Sequence, residues 1–350
     1  MDSRYCGCWT ALVTPFDNDY KVNWSQLEKN VRFQSEQGVT GVLPMGSTGE
    51  SATVTHREHS KVIENTVGYA DGKTKVLAGT GSNSTDEAIF ETKRAVEAGV
   101  ETCLLVDCYY NKPSSLELRR EYYEPVLSEF PETDFIAYAI PGRSVTVISP
   151  EDLALIRAGH KNLVAVKEAT GDFERMRKTR ELADDDFNII SGDDPNTYEM
   201  MTDARIMSSG VISVISNITP AAIERYVRMI LEGKAEEAKA VDESLQPLFN
   251  VVGVKTVEEV ALPDGSTSQV EYRIPNPVPV KTMMAGLGMI AGTCKRPLGK
   301  LTAKGVESVR EALKSVWEGS PEVLEPIQGF YDVDIPSRLD DDNIWSKLSY

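Results

Sequence analysis

The sequence predicts an α/β chain folded as a closed (β/α)8 barrel with a C-terminal helical appendage, and three observations predict it. Eight short apolar runs recur between residue 9 and about residue 235, each followed by a segment able to form a helix. The runs are rich in Val, Ile and Leu without polar alternation, as strands of a parallel sheet buried on both faces require. The first run ends in Thr14-Pro-Phe-Asp17, which is not the Gly-rich phosphate turn that an open doubly wound sheet, the alternative architecture, needs after its first strand. Eight βα units of this kind close into a barrel, which places chemistry at the C-terminal ends of the strands.

The runs, in order, are Trp9–Phe16, Gly41–Met45, Lys75–Gly81, Thr102–Asp107, Asp134–Pro141, Leu163–Thr170, Phe187–Asp194 and Gly210–Ser216. Apolar spacing near 3.6 predicts helices over Ser25–Gln37, His56–Tyr69, Asp86–Ala98 and Pro220–Leu231. Thr85 before Asp86-Glu87, and Ser149-Pro150 before Glu151-Asp152, have the pattern of helix caps. The barrel is thus expected over residues 1–235. Residues 236–350 change character, with helices predicted over Glu236–Phe249, Pro279–Ala291 and Val306–Trp317. Between them Val257–Arg273 carries Pro263-Asp-Gly-Ser266 between partly alternating arms, a hairpin-like insertion. The segment Pro336–Tyr350, with Asp340-Asp-Asp342, is expected to be a solvated polar tail.

Composition narrows the function classes. The chain has 350 residues, with 41% apolar and 26% charged content, as in globular proteins. Acidic residues outnumber basic ones, 54 to 37, and the formal net charge of −17 argues against nucleic acid and anionic membranes as partners. No uncharged run reaches the ~18 apolar residues of a membrane helix, and the N-terminus lacks a signal-peptide pattern. Five scattered cysteines (Cys6, Cys8, Cys103, Cys108, Cys294) make no disulfide framework, and no histidine stands near Cys6 and Cys8 to suggest a metal site. A cytoplasmic home is the expectation.

Lys167 is the residue on which the chemistry turns. It sits within Leu163-Val-Ala-Val-Lys-Glu-Ala-Thr-Gly171, a buried strand, where an unpaired ammonium costs several kcal/mol. A neutral amine is favoured there, and a neutral buried amine is a nucleophile. The alternative is a lysine that snorkels to water or pairs with Glu168. Other strand ends carry matching groups: Gly46-Ser-Thr-Gly-Glu-Ser51 after run two, Cys108-Tyr-Tyr-Asn-Lys-Pro113 after run four, Tyr138 and Arg143 on run five, and Ser191-Gly-Asp-Asp194 after run seven. Imine formation fits this set. Lys167 attacks a ketone, Tyr138 with the Ser47/Thr48 hydroxyls moves protons, and Arg143 docks a carboxylate, with neither metal nor other cofactor required.

These residues resemble the dihydrodipicolinate synthase family, pyruvate-dependent class I aldolases that open lysine and diaminopimelate biosynthesis. The matching pieces are Gly46-Ser-Thr-Gly-Glu-Ser51, Tyr109-Tyr-Asn-Lys-Pro113, Tyr138-Ala-Ile-Pro-Gly-Arg143, Val166-Lys-Glu-Ala-Thr-Gly171, Ser191-Gly-Asp-Asp194, Gly210-Val-Ile-Ser213 and Asn276-Pro-Val-Pro-Val-Lys281. The resemblance implies a TIM barrel, a homo-oligomer (tetramer or dimer), and condensation of pyruvate with L-aspartate 4-semialdehyde. It implies that Lys167 is the Schiff-base residue, Tyr138 the proton shuttle, and Ser47 a relay to Tyr110 of a neighbouring subunit. Ser47 and Thr48 then hold the pyruvate carboxylate, Arg143 orients the aldehyde, and Gly192 and the Ile212 carbonyl line the pocket. Ser51, Ala52, His56, His59, Asn83, Glu87 and Tyr109 match the positions where lysine-sensitive members bind L-lysine, an implied effector. Ser47 stands where threonine is commoner, keeping the hydroxyl, and Ala139 replaces an asparagine common after the shuttle tyrosine.

Two other functions share parts of this pattern. One is a sister aldolase or lyase acting on a sialic acid or a 2-keto-3-deoxy sugar acid, against which Arg143 argues. The other is a catalytically silent homologue that binds pyruvate or lysine, against which the full set of acid–base hydroxyls argues.

Overall fold

A computed structural model describes residues 1–350. Eight parallel strands close on themselves: β1 Gly7–Ala11, β2 Gly41–Leu43, β3 Lys75–Gly79, β4 Thr102–Val106, β5 Asp134–Ala139, β6 Leu163–Glu168, β7 Asn188–Ser191 and β8 Gly210–Ser213. β1 pairs in parallel with both β2 and β8, which completes the ring. Seven of the predicted runs contain their strand; the first, Trp9–Phe16, overlaps β1, which begins earlier at Gly7, and each strand is shorter than its run. The remainder of each run, at its C-terminal end, lies in the loops that shape one mouth of the barrel. Lack of alternation is explained by burial on both faces, as along β6, where all six residues are buried.

Tyr5, Trp9, Leu43, Leu77, Leu104, Ile136, Ala165, Ile190 and Ile212 fill the barrel interior. Gly41 makes room for the largest of them, since a Cβ there would fall 2.2 Å from the Trp9 ring. The outer layer begins with α1 Trp24–Glu36, α2 His56–Ala70 and α3 Thr85–Glu97. Residues 115–129 form α4, which contains a π-helical stretch over Leu118–Tyr123. The layer continues with α5 Pro150–Gly159, α6 Phe173–Leu182, α7 Thr197–Thr202 and α8 Pro220–Leu231. Ser149 caps α5 as expected, its hydroxyl accepting from the Asp152 N–H. For α3 the cap is Ser84 rather than Thr85. Thr85 is instead the first helical residue, and its hydroxyl donates to the Glu121 carbonyl at 2.7 Å.

Beyond the barrel come α9 Ala235–Phe249, α10 Val278–Gly286, α11 Ala303–Gly319, α12 Glu325–Tyr331 and α13 Ile335–Asp340. The first two are separated by an antiparallel hairpin of β9 Val254–Ala261 and β10 Thr267–Ile274. α10 is shorter than its apolar pattern suggested and ends before Gly288, which has φ +86°. Buried side chains of these helices, among them Leu245, Met283 and Leu313, share one continuous cluster with Cys8, Val42 and Ile223 of the barrel.

The solvated tail expected over Pro336–Tyr350 is overturned. Trp345 is 2% exposed and packs against Gly286, where a Cβ would come within 2.1 Å of its ring. Its indole N–H donates to the Arg338 carbonyl, and the Arg338 guanidinium donates to the carbonyls of Gly286 and Ala285. The acidic run that suggested solvation forms only the outer face of this segment, with Arg310 bonded to Asp342 at 2.7 Å. Ile335 and Leu339, four residues apart, supply an apolar stripe too short to stand out in the sequence. No helix is long and apolar enough to cross a membrane.

Candidate active site

Register places the two central groups side by side, because β5 and β6 pair Tyr138 with Lys167. The Lys167 Nζ lies 4.3 Å from the Tyr138 ring centroid. Alternation along β6 turns Lys167 into the barrel and Glu168 outward, where Glu168 meets Arg175 at 3.0 Å and the Thr170 hydroxyl at 3.0 Å. Lys167 therefore neither pairs with Glu168 nor snorkels, being 4% exposed. Burial lowers its pKa to about 7, with the Asp194 charge opposing and the Arg143 charge adding to the fall. Burial also pushes the Tyr138 phenol up to about 12, against the pull of Arg143 and the Ser47 hydroxyl. Gly192 leaves the lysine its space: a Cβ there would fall 2.9 Å from Lys167 Cε and 3.0 Å from the Ala169 Cβ.

The turn after β2 brings in the hydroxyls. Thr48 is buried and accepts from the Asn276 amide at 2.8 Å, while Ser47 is half-buried. Arg143 sits on a single exposed helical turn, Pro141–Ser144, and donates to the Asn276 carbonyl at 2.7 Å. Asn276 thus ties Thr48 to Arg143, a role its motif did not reveal. The turn itself is anchored by Glu50, which has φ +61° and a carboxylate fully buried against Lys281 at 2.6 Å. The backbone N–H of Lys295 donates to the same carboxylate at 2.7 Å. Ile212 lies inside the barrel on β8, beside Trp9 in the register. Tyr110 stands apart, 81% exposed with φ +79°, and joins no other site residue within this chain.

A second polar cluster lies between α2 and α3. His56 Nε2 is 3.8 Å from Glu87, and the Ser82 hydroxyl donates to Glu87 at 2.6 Å. Asn83 adjoins Ser82 at 3.4 Å. Half-buried Tyr109 faces the same group; burial raises its phenol pKa, opposed by the Ser82 hydroxyl. Glu91, absent from the sequence-based set, lies against both histidines: His56 Nδ1 shares a hydrogen bond with it at 2.8 Å, and His59 Nδ1 is 2.9 Å away. Burial opposes ionisation of Glu91, yet contacts with His59, His56 and Ser60 hold its pKa below the usual carboxylate range. Nothing in the chain order linked a mid-α3 glutamate to two histidines on α2. Ser51 and Ala52 lie on the turn leading into α2, and no hydrogen bond ties them to this cluster.

A closed (β/α)8 barrel with a buried lysine, a tyrosine and hydroxyls gathered at its C-terminal mouth is the framework of a barrel enzyme. The dihydrodipicolinate synthetase family model matches residues 4–263, and the chain belongs to that family. The 4-hydroxy-tetrahydrodipicolinate synthase of Cellvibrio japonicus is 38% identical over 310 residues, spanning 88% of this chain and 98% of that protein. The solved dihydrodipicolinate synthase of Aquifex aeolicus superposes with a TM-score of 0.80 at 33% identity, covering 91% of this chain and 99% of that one. A structure of the Cyanidioschyzon merolae homologue with lysine bound has a TM-score of 0.80 at 29% identity, over 89% and 98% of the two chains. The protein is accordingly an enzyme of the lyase class.

Proposed function

We propose that this lyase condenses pyruvate with L-aspartate 4-semialdehyde through a Schiff base on Lys167, the 4-hydroxy-tetrahydrodipicolinate synthase reaction of lysine and diaminopimelate biosynthesis. The observation that carries the reading is a buried lysine with a pKa lowered to about 7, 4.3 Å from the Tyr138 ring. Near neutral pH such an amine is partly free base, where an ordinary lysine is so in only about one molecule in a few thousand. Its lone pair attacks the pyruvate ketone to form the N–C bond. The former carbonyl oxygen takes up protons and leaves as water, and the iminium that remains makes the methyl carbon acidic. Tyr138, with Ser47 beside it, moves those protons. The Thr48 hydroxyl, Gly192 and the end of β8 at Ile212 frame the keto acid. Arg143, set by Asn276, offers its remaining N–H groups to the carboxylate of the aldehyde.

Tyr110 fits this scheme as a group donated to a second copy of the chain, which makes the working enzyme a homo-oligomer in the cytoplasm. The α2–α3 cluster, with Glu87, His56, His59, Asn83 and Tyr109, is read as the site of L-lysine feedback inhibition, Glu87 meeting an amine of the effector. Support for this second reading is the lysine-bound homologue together with the gathering of those groups in one place.

The test is borohydride reduction in the presence of pyruvate followed by peptide mass mapping. Mass added at Lys167, with turnover in a coupled assay using aspartate semialdehyde, is the expected result. Mass elsewhere or nowhere overturns the mechanism, and trapping without turnover points to the sugar-acid lyase alternative. Activity that stays flat across millimolar L-lysine overturns the regulatory reading.

A further inference from the structure

Lys295, in the loop after α10, holds two other segments at once. Its backbone N–H donates to Glu50 Oε2 at 2.7 Å, and its ammonium donates to both carboxylate oxygens of Glu58, each at 2.7 Å. The first grip reaches the active-site turn. There the Glu50 N–H donates to the Ser47 carbonyl at 3.1 Å, and the Ser51 N–H donates to the Gly46 carbonyl at 3.3 Å. The second grip reaches the first turn of α2. Glu58 completes the cap of that helix, its carboxylate accepting from the N–H and the hydroxyl of Thr55, both at 3.0 Å. Burial opposes ionisation of Glu58, yet the Lys295 and Thr55 donors hold its pKa below the usual carboxylate range. The same first turn carries His56 and His59, which meet Glu87 and Glu91 of α3. Lys295 and Glu58 are both half-buried, so salt screens their pair less than it does a surface pair.

We infer that Lys295 is a positioning residue that couples the α2–α3 cluster to Ser47 and Thr48. One residue grips both segments, so a shift of the first turn of α2 reaches Glu50 through Lys295 and not only along the intervening chain. An effector amine at Glu87 has a direct route to that turn. It competes for Glu87 with His56, which stands 3.8 Å away and directly follows the Thr55 cap. A rearranged cap changes what Glu58 offers the Lys295 ammonium. The coupling is reciprocal: pyruvate changes the affinity for L-lysine by the factor with which L-lysine changes the affinity for pyruvate. The double grip stands on geometry alone, while the coupling rests on the reading of the α2–α3 cluster as an L-lysine site. Glu50 retains the Lys281 ammonium at 2.6 Å whatever side chain stands at position 295, so the two grips can be separated.

The test variant is K295M, which keeps the backbone N–H on Glu50 and removes only the grip on Glu58. L-Lysine is titrated calorimetrically into the protein with and without saturating pyruvate. In the wild type the two affinities are expected to differ at least about fivefold, the low end of allosteric coupling. In K295M the ratio falls to within about twofold of one. K295R, whose guanidinium can meet both oxygens of Glu58, restores it. E58Q keeps an acceptor for the Thr55 N–H but loses the charge, so K295M/E58Q behaves as K295M alone. A wild-type ratio of one, or a wild-type ratio retained in K295M, overturns the inference. So does a K295R variant that behaves like K295M, because that pattern is a structural defect. If the wild type binds no L-lysine, the regulatory reading fails, and amide hydrogen exchange still decides the double grip. Faster exchange in K295M confined to residues 46–59 supports it, and unchanged exchange there overturns it.

Discussion

Lys167 is held in a protonation state that the unfolded chain does not favour, and that has measurable consequences. Its usual pKa is near 10.4, and burial brings it to about 7. Between those values the unfolded chain binds the proton and the folded chain does not. The stability contributed by this residue therefore rises with pH over that window, and the full penalty is present below about pH 7. At about 1.4 kcal/mol per pKa unit the penalty is on the order of 4–5 kcal/mol. Replacing Lys167 by methionine, which fills the space beside Gly192 without the charge, is expected to abolish turnover. The same change raises the unfolding free energy at pH 7 by about 2 kcal/mol or more, a gain that shrinks toward pH 10. Urea unfolding at the two pH values checks this, and a less stable variant at pH 7 contradicts it. The companion change Y138F removes the hydroxyl proposed to carry protons while keeping the ring against the lysine. It should lower kcat about 100- to 10,000-fold with little loss of stability, as steady-state kinetics and thermal melts together can show.

At the scale of elements, the active-site turn after β2 is welded to α10 by the buried Glu50–Lys281 pair, and Lys281 also donates to the Thr14 carbonyl at 2.9 Å. Removing one partner leaves a bare charge in the core. E50A is expected to cost about 3–5 kcal/mol in chemical denaturation and to loosen Ser47 and Thr48, raising the KM for pyruvate. The double change E50L/K281M should recover most of the stability without recovering KM; equal stability of single and double variants would show that the pair is not a coupled unit. α10 also carries Gly286 beneath Trp345, so the last segment of the chain clamps the helix that supports the turn. Truncating that clamp as W345A is expected to cost about 3–5 kcal/mol. A cost below about 1 kcal/mol would return the segment to the solvated role its composition suggested.

For the molecule as a whole, one chain leaves Tyr110 stranded in solvent while the other hydroxyls of the site converge. If a second copy uses it, sedimentation at assay concentration gives a mass above that of the 38.6 kDa chain. Dilution that dissociates the assembly then lowers activity in step, and Y110F lowers kcat without changing the mass. A fully active monomer contradicts this. With a net charge of −17, association between copies should strengthen as salt screens their repulsion.

How much of this was legible beforehand follows physical lines. Apolar runs without alternation, separated by helical spacing, give strand count and order, because a parallel sheet buried on both faces permits few other patterns. Lys167 was legible too, since a lysine in an apolar run is a conflict that only burial chemistry resolves. Pairings between residues far apart in the chain were not: Glu91 with two histidines of another helix, Asn276 between Thr48 and Arg143, and Trp345 over Gly286 each depend on register and packing rather than on neighbours in the chain. The sequence by itself determined a barrel with a lysine buried among apolar neighbours of one strand, because hydrophobic period and the desolvation of charge are local properties. Only the tertiary structure decided which carboxylates are paired and with what, because electrostatic energy depends on distances that the order of residues does not contain.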